Sequence, residues 1–391
     1  MLIDYTPEQR KLLATTRAYL RELIGEDVLA EVRSTDGGGP LYMQTMAQLG
    51  EDGWLGIGWP AEYGGQDRPA IEQYIFYDEI QRTGFPLPFL TLASVGPTLM
   101  KYGSDAQKAE ILPRILAGHC HFAIGYTEPE AGTDLASLRT RAVRDGDVYV
   151  VNGQKVFTSQ AEYADYIWLA VRTDADAPKH KGISMLMVDT RLPGVSITPI
   201  RTLASHRTNA TYYEDVRVPV DMLIGHEGDG WKLITNQLNH ERVALMTPGP
   251  VKRFVDETIE WAQTTELAGG GRVIDQPWVQ LSLARALTKI EALRLFNWRQ
   301  ASNIDKDRLN PAEASAVKVF GSESFVDIYS LLLEVLGPEA ALKRGSAAGL
   351  LHGRIEQFYR ATLVLTFGGG VNEVQRDIIA MAGLGMPRAQ R

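Results

Sequence analysis

The 391-residue chain is predicted to be mainly α-helical with a small antiparallel β domain at its centre. Three observations predict this. Apolar residues recur at helical spacing through the first third; near residue 122 the pattern shortens to strand-like runs separated by turn residues; and from about Trp231 the helical period returns and holds almost to the end. The division is residues 1–121 as an N-terminal helical domain, 122–229 as a central antiparallel β-barrel or sandwich, and 230–391 as a bundle of about four helices.

The first helix starts at Thr6-Pro7-Glu8-Gln9, where Thr6 can cap, Pro7 lacks only an N–H that would be unbonded anyway, and Gln9 completes a capping box. Leu12, Leu13, Leu20 and Leu23 give it an apolar face. Helices are expected over Leu41 to Leu49, Ala70 to Gln81 and Asp105 to Leu116, with Gly- and Pro-rich breaks at 36–40 and 59–65. In the centre, Val148 to Phe157 reads as two short strands joined by Asn152-Gly153, because a two-residue turn of that kind needs φ > 0 at both positions. Ile167 to Val171, Ile183 to Val188, Val195 to Ile200 and Thr211 to Val218 are further strands. Beyond Trp231, Val251 to Thr264, Trp278 to Gln300, Ala312 to Leu336, Gly353 to Leu365 and Asn372 to Ala382 are helical, the last two separated by Gly368-Gly369-Gly370.

A balance of 40 basic against 48 acidic residues, net −8, argues against a general nucleic-acid role. Cys120 is the single cysteine, which rules out an intrachain disulfide and a cysteine zinc cluster and fits a reducing cytoplasm. No basic, apolar leader is evident in the acidic N-terminus, and the longest apolar runs fall far short of the roughly 20 residues that span a bilayer.

In the helix from Gly230 to Leu245, Ile234, Leu238 and Leu245 share one face, and the remaining position of that stripe is Glu241. A buried carboxylate must be paired, neutralised or turned into a cavity where it does chemistry. Glu241 is therefore either half of an ion pair with a neighbouring helix or a functional acid.

The loop Tyr126-Thr127-Glu128-Pro129-Glu130-Ala131-Gly132-Thr133-Asp134 is rich in hydroxyls and punctuated by glycine, suited to presenting polar groups to a cofactor or simply to turning the chain between domains. Together with Lys155-Val156-Phe157-Thr158-Ser159 and Asp215-Val216-Arg217-Val218-Pro219, in that order, it resembles the acyl-CoA dehydrogenase family, whose stretches read approximately Y-x-T-E-P-x-A-G-S-D, W-I-T-N and D-V-R-V-P. The resemblance extends over almost the whole chain, through Trp59-Pro60, Tyr63-Gly64-Gly65, Gly230-Trp231-Lys232 and Asn372 to Arg376. It implies an N-terminal helical domain, a central β domain, a C-terminal four-helix bundle and non-covalent FAD, in keeping with the lack of a well-placed dinucleotide-binding glycine motif.

Carried over by motif, the cofactor-binding residues are Tyr126, Thr127, Glu128, Pro129, Gly132, Thr133, Phe157, Thr158 and Arg272. Tyr126, Thr127 and Thr133 would contact the flavin or its pyrophosphate, Phe157 would lie against the ring where the family often has Trp, Thr158 would bond near N5 and O4, and Arg272 would reach a neighbouring subunit's FAD. Where many members carry a catalytic glutamate this chain has Gly369, whose backbone N–H would remain for the thioester oxygen. A subgroup places the base at the position of Glu241, with Arg242 beside it to orient or screen it. Glu334 and Pro338 depart from the motif that members donate to a neighbour's FAD, and Phe367 to Arg376 is similar to actinobacterial steroid side-chain enzymes built as α2β2 heterotetramers. The expected partners are an acyl-CoA substrate, an electron-transferring flavoprotein and a homologous β subunit, with a homotetramer as the alternative assembly. The alternative functions are a non-catalytic scaffold subunit and a flavin oxidase or monooxygenase on the same fold.

Overall fold

The structure, a computed structural model, describes residues 4–35, 37–204, 206–308, 310–346 and 349–387, with the backbone alone at 238–245 and 352. Helices α1 (Pro7–Leu23), α2 (Glu26–Thr35), α3 (Pro40–Glu51), α4 (Ala70–Thr83), α5 (Gly96–Tyr102) and α6 (Asp105–Leu116) form the N-terminal domain. The expected capping box at Thr6 and Gln9 starts α1, and a second at Ser104 and Gln107 starts α6. Before α5 the chain makes a wide helical turn over Thr91–Val95, where the Trp59 indole donates to the Leu92 carbonyl at 2.9 Å. Trp59 also occupies the space a side chain at Gly96 would need.

Strands β1 (Phe122–Gly125), β2 (Arg141–Asp145), β3 (Val148–Lys155), β4 (Tyr166–Arg172), β5 (Ile183–Asp189), β6 (Val195–Arg201), β7 (Arg207–Pro219) and β8 (Leu223–Ile224) form one sheet in the order β6-β7-β3-β2-β4-β5-β8, with β1 on β4. Its pairings are antiparallel except β1 with β4 and the single contact of β2 with β4. The hairpin expected at Asn152-Gly153 lies instead at Gly146, which has φ +64° between β2 and β3. β3 runs straight through Asn152-Gly153, and the register against β7 slips there. The dipeptide is a bulge: Asn152 exchanges side-chain bonds with Asp215 across the sheet, and Gly153, at φ +150°, sits where a Cβ would meet Thr140 Oγ1 at 2.6 Å.

The C-terminal domain comprises α7 (Gly230–Leu245), α8 (Gly249–Thr264), α9 (Pro277–Ile304), α10 (Pro311–Leu336), α11 (Arg354–Thr362) and α12 (Asn372–Ile378). Its core is built around Phe254, Ile290, Leu293, Phe325, Ile328 and Tyr329. α7 belongs partly to the other core, since Leu233 and Ile234 pack with Trp168 and Met185 of the sheet and with residues of the helical domain. At its far end Met246 fills the space over Gly321, and the Met246 carbonyl accepts from Asn297 Nδ2 at 2.8 Å, so α10 and α9 hold the exit of α7.

Candidate active site

The Tyr126 to Asp134 loop is built on a buried ion pair. The Lys155 ammonium, fully buried at the end of β3, donates to Glu128 Oε1 at 2.8 Å and to the Tyr126 carbonyl at 3.0 Å. Glu128 further accepts from the backbone amides of Arg139 at 2.6 Å and Thr140 at 2.8 Å. Burial alone would raise the Glu128 pKa, but Lys155 and these amides outweigh it and hold the carboxyl below the ordinary glutamate range. Burial lowers Lys155 to about 8, with Glu128 pulling back the other way. The Glu128 side chain is thus committed to shaping the loop, which closes on itself through reciprocal Glu128 and Ala131 backbone bonds at 3.1 Å. Pro129 lies exposed in that turn, and Gly132 and Thr133 are exposed beyond it.

The Val156 amide donates to the Thr127 carbonyl at 2.8 Å and so lays the loop beside Phe157 and Thr158. Phe157 is 63% exposed with φ +60°, a backbone conformation a bulky residue rarely adopts. Thr158 follows, fixed to Asn209 by its amide at 2.9 Å and its carbonyl at 3.0 Å, yet its buried hydroxyl has no partner. The Asn209 side-chain oxygen beside it is equally unpartnered. An exposed aromatic face next to an orphaned hydroxyl, an orphaned amide oxygen and a half-buried Thr127 offers both donors and acceptors, which fits a planar, heteroatom-rich ring such as a flavin.

Tyr126 ties this loop to α7. Its hydroxyl donates to Gln237 Oε1, which also accepts from Trp168 Nε1 at 3.0 Å. The indole can only donate, so the glutamine oxygen faces these two groups and its buried Nε2 has no partner. Among the described side chains of α7, Leu233, Ile234 and Gln237 are buried. The side chains of Glu241, Arg242, Leu238 and Leu245 lie outside the described residues, but position 241 follows Gln237 by one turn on the α7 backbone.

Gly369 lies exposed in the loop before α12 with φ +68° and open space where a Cβ would project. The loop is held from below by Lys318, 1% exposed on α10, which donates to the Gly370 carbonyl and Asn372 Oδ1, each at 2.7 Å. Arg272 stands apart in the exposed turn between α8 and α9, its amide bonded to Asp275 at 2.8 Å, and among the described residues no contact joins it to the Tyr126 loop. Glu334 and Pro338 are both exposed at the end of α10 and just past it.

Sequence reasoning passed over Lys155, Asn209, Gln237 and Lys318. Lys318 carried a readable signal, being the one charge in an apolar helical run between Glu313 and Glu323. Asn209 and Gln237 carried none, because a neutral polar residue is unremarked on a strand or a helix surface.

The fold is a helical N-terminal domain, a central sheet and a C-terminal helical domain, with the Tyr126 loop, Phe157 and Thr158 gathered at the sheet. Residues 6–119, 123–216 and 228–384 match the acyl-CoA dehydrogenase N-terminal, middle and C-terminal domains respectively, and the chain belongs to that family. It is 56% identical over 400 residues to acyl-CoA dehydrogenase FadE26 and 52% identical over 396 residues to FadE29, both of Mycobacterium tuberculosis H37Rv, with 100% of each chain covered in both cases. Among solved structures it is similar to the ChsE4-ChsE5 complex from Mycobacterium tuberculosis, with TM-score 0.93, 56% identity and 100% of both chains covered. The Tcur3481-Tcur3483 steroid acyl-CoA dehydrogenase gives TM-score 0.93 at 49% identity, again with 100% of both chains covered.

Proposed function

We propose that this chain is the base-bearing subunit of an FAD-dependent acyl-CoA dehydrogenase that introduces an α,β double bond into a bulky acyl-CoA thioester, a steroid side-chain thioester foremost. The observation that carries this reading is the joint at Gln237, where the cofactor loop, the sheet and α7 meet at one side-chain oxygen, one helical turn before Glu241. In this reading the Glu241 carboxylate takes the substrate α-proton as the α,β double bond forms and a hydride leaves the β-carbon. FAD, when bound, supplies the two-electron acceptor for that hydride.

The chain's own residues do the rest. Phe157 would lie against the ring, Thr158 and Thr127 would offer hydroxyls, and Tyr126, Pro129, Gly132 and Thr133 would shape the approach of the polar cofactor, with Glu128 as the loop's internal anchor. The Gly369 amide receives the thioester oxygen and stabilises enolate charge as the proton leaves. Arg242 would orient Glu241, and the exposed Arg272 would be free to reach a neighbouring subunit's cofactor. Electrons pass on to an electron-transferring flavoprotein, and the enzyme works in the cytoplasm.

Assembly with a homologous β subunit is supported by the two similar structures, each a pairing of two named proteins. It is also supported by the surface of α9, where Trp278 and Leu281 are 50% and 52% exposed. A groove of about 660 Å³ runs from Leu281 along α9 to Asp327 and Leu331 of α10. The test is to purify the chain with its partner and challenge it with a panel of acyl-CoAs and a dye acceptor. A yellow protein bleached anaerobically by steroid side-chain thioesters is expected; a colourless complex that FAD cannot reconstitute, or one that turns over only by consuming oxygen, contradicts the reading.

A further inference from the structure

Lys318 is a buried cation with no role in the reaction as described so far. Its ammonium sits under the glycine loop, bonded to the Gly370 carbonyl and to Asn372 Oδ1, each at 2.7 Å. Asn372 is itself fixed by Ser322 at 3.0 Å and Glu323 at 3.1 Å, and Arg376 donates to Glu323 at 2.6 Å. Gly370, at φ +96°, has the Gln375 amide nitrogen 2.6 Å from where a Cβ would stand, so the loop lies close against the Gln375 side chain and has no room for one of its own there. One turn along α10 from Lys318, Gly321 receives Met246, the residue immediately after α7. The loop that carries Gly369 and the exit of the helix that carries Glu241 therefore both rest on the same short stretch of α10.

We propose that Lys318 is a positioning residue for enolate stabilisation: it fixes the Gly369 loop so that the amide meets the thioester oxygen, and it places a positive charge behind that amide. This rests on the reading of Gly369 and Glu241 given above. The physical basis is that a donor aimed in advance at developing negative charge acts most strongly where water is excluded, and a buried ammonium adds to its field without having to reorient. Asn372, which accepts from the ammonium, is itself held by Ser322, so the acceptor is fixed where Lys318 meets it.

The test compares Lys318→Met, Lys318→Gln and Lys318→Arg in the full chain with its partner and FAD. Three quantities are read: binding of a saturated acyl-CoA thioether, which has no carbonyl; the fraction of a bound 3-thiaacyl-CoA converted to its enolate, followed optically; and the rate of flavin reduction at saturating substrate. We expect Lys318→Met to keep FAD content and thioether affinity while enolate formation and reduction fall by about 10- to 100-fold. Lys318→Arg should recover part of the loss. Amide hydrogen exchange at residues 368–370, measured without ligand, should speed up in Lys318→Met. Wild-type enolate formation and reduction in Lys318→Met overturn the proposal, as does a parallel fall of thioether affinity, enolate and rate. If Lys318→Met does not accumulate folded, Lys318→Gln against Lys318→Arg decides, and equal rates overturn it. Glu241→Gln is run alongside. Normal turnover in that variant removes the base assignment, whereas a dead Glu241→Gln beside a normal Lys318→Met removes only the role of Lys318.

Discussion

Lys155 and Glu128 show how a single buried pair shapes a binding loop. The ammonium is wholly buried and holds both the Glu128 carboxylate and the Tyr126 carbonyl, so removing it leaves a buried carboxylate without its counter-charge, held only by the Arg139 and Thr140 amides. Lys155→Met is expected to lower stability by about 3–5 kcal/mol in urea denaturation and to release FAD. Because the Glu128 pKa is lower in the folded chain than in the unfolded one, the unfolded chain binds more protons as the solution is acidified. Stability from this group is present above the ordinary glutamate value of about 4.3 and is lost as pH falls through the depressed native value. Glu128→Gln should flatten that acid limb in melting curves taken from pH 3 to pH 6, and an unchanged limb would assign acid sensitivity to other carboxylates. The sequence drew attention to Glu241, whose role is a proposal, because a charge broke an apolar stripe, and Lys318 breaks its helix in the same way. Gln237 was invisible by that rule: its importance lies in Tyr126 and Trp168, both remote in the chain, converging on its oxygen.

At the scale of elements, periodicity located the long helices α4, α6, α8, α9 and α10 and the strands β4 to β7 to within a few residues. It did not single out α2 or α5, each of ten residues or fewer. The Asn152-Gly153 error has a clear physical origin: a left-handed or extended glycine serves a turn and a bulge equally, and which one forms depends on what lies across the sheet. Here that is Asp215 on β7 and Thr140 just before β2, while Gly146 takes the turn. Gly153→Ala is expected to cost about 1–3 kcal/mol, since its φ of +150° and its contact with Thr140 both exclude a side chain. Denaturation midpoints check this, and a neutral change would mean the bulge relaxes freely. The bulge lies two residues before Lys155, so the same substitution should also weaken FAD retention.

Across the whole molecule, the three-part organisation was legible because the hydrophobic period changes from helical to strand-like and back again, whereas the joint between the parts was not, because it is made by residues distant in sequence. Tyr126, Trp168 and Gln237 come from a loop, a strand and a helix that only the folded chain brings together. The outward Trp278 and Leu281 lead to an assembly prediction: co-expression with the homologous subunit should give a heterotetramer with fewer flavins than subunits. Trp278→Glu with Leu281→Glu should shift it to smaller species in light scattering. A stable homotetramer with one FAD per chain would contradict it. The central claim, that this assembly removes a substrate proton through Glu241, is tested most directly by stopped-flow reduction of bound flavin in Glu241→Gln beside thermal unfolding. The account predicts intact folding and FAD content with reduction slowed by at least about 10²- to 10⁴-fold. Reduction near the wild-type rate, with or without a loss of stability, would contradict it.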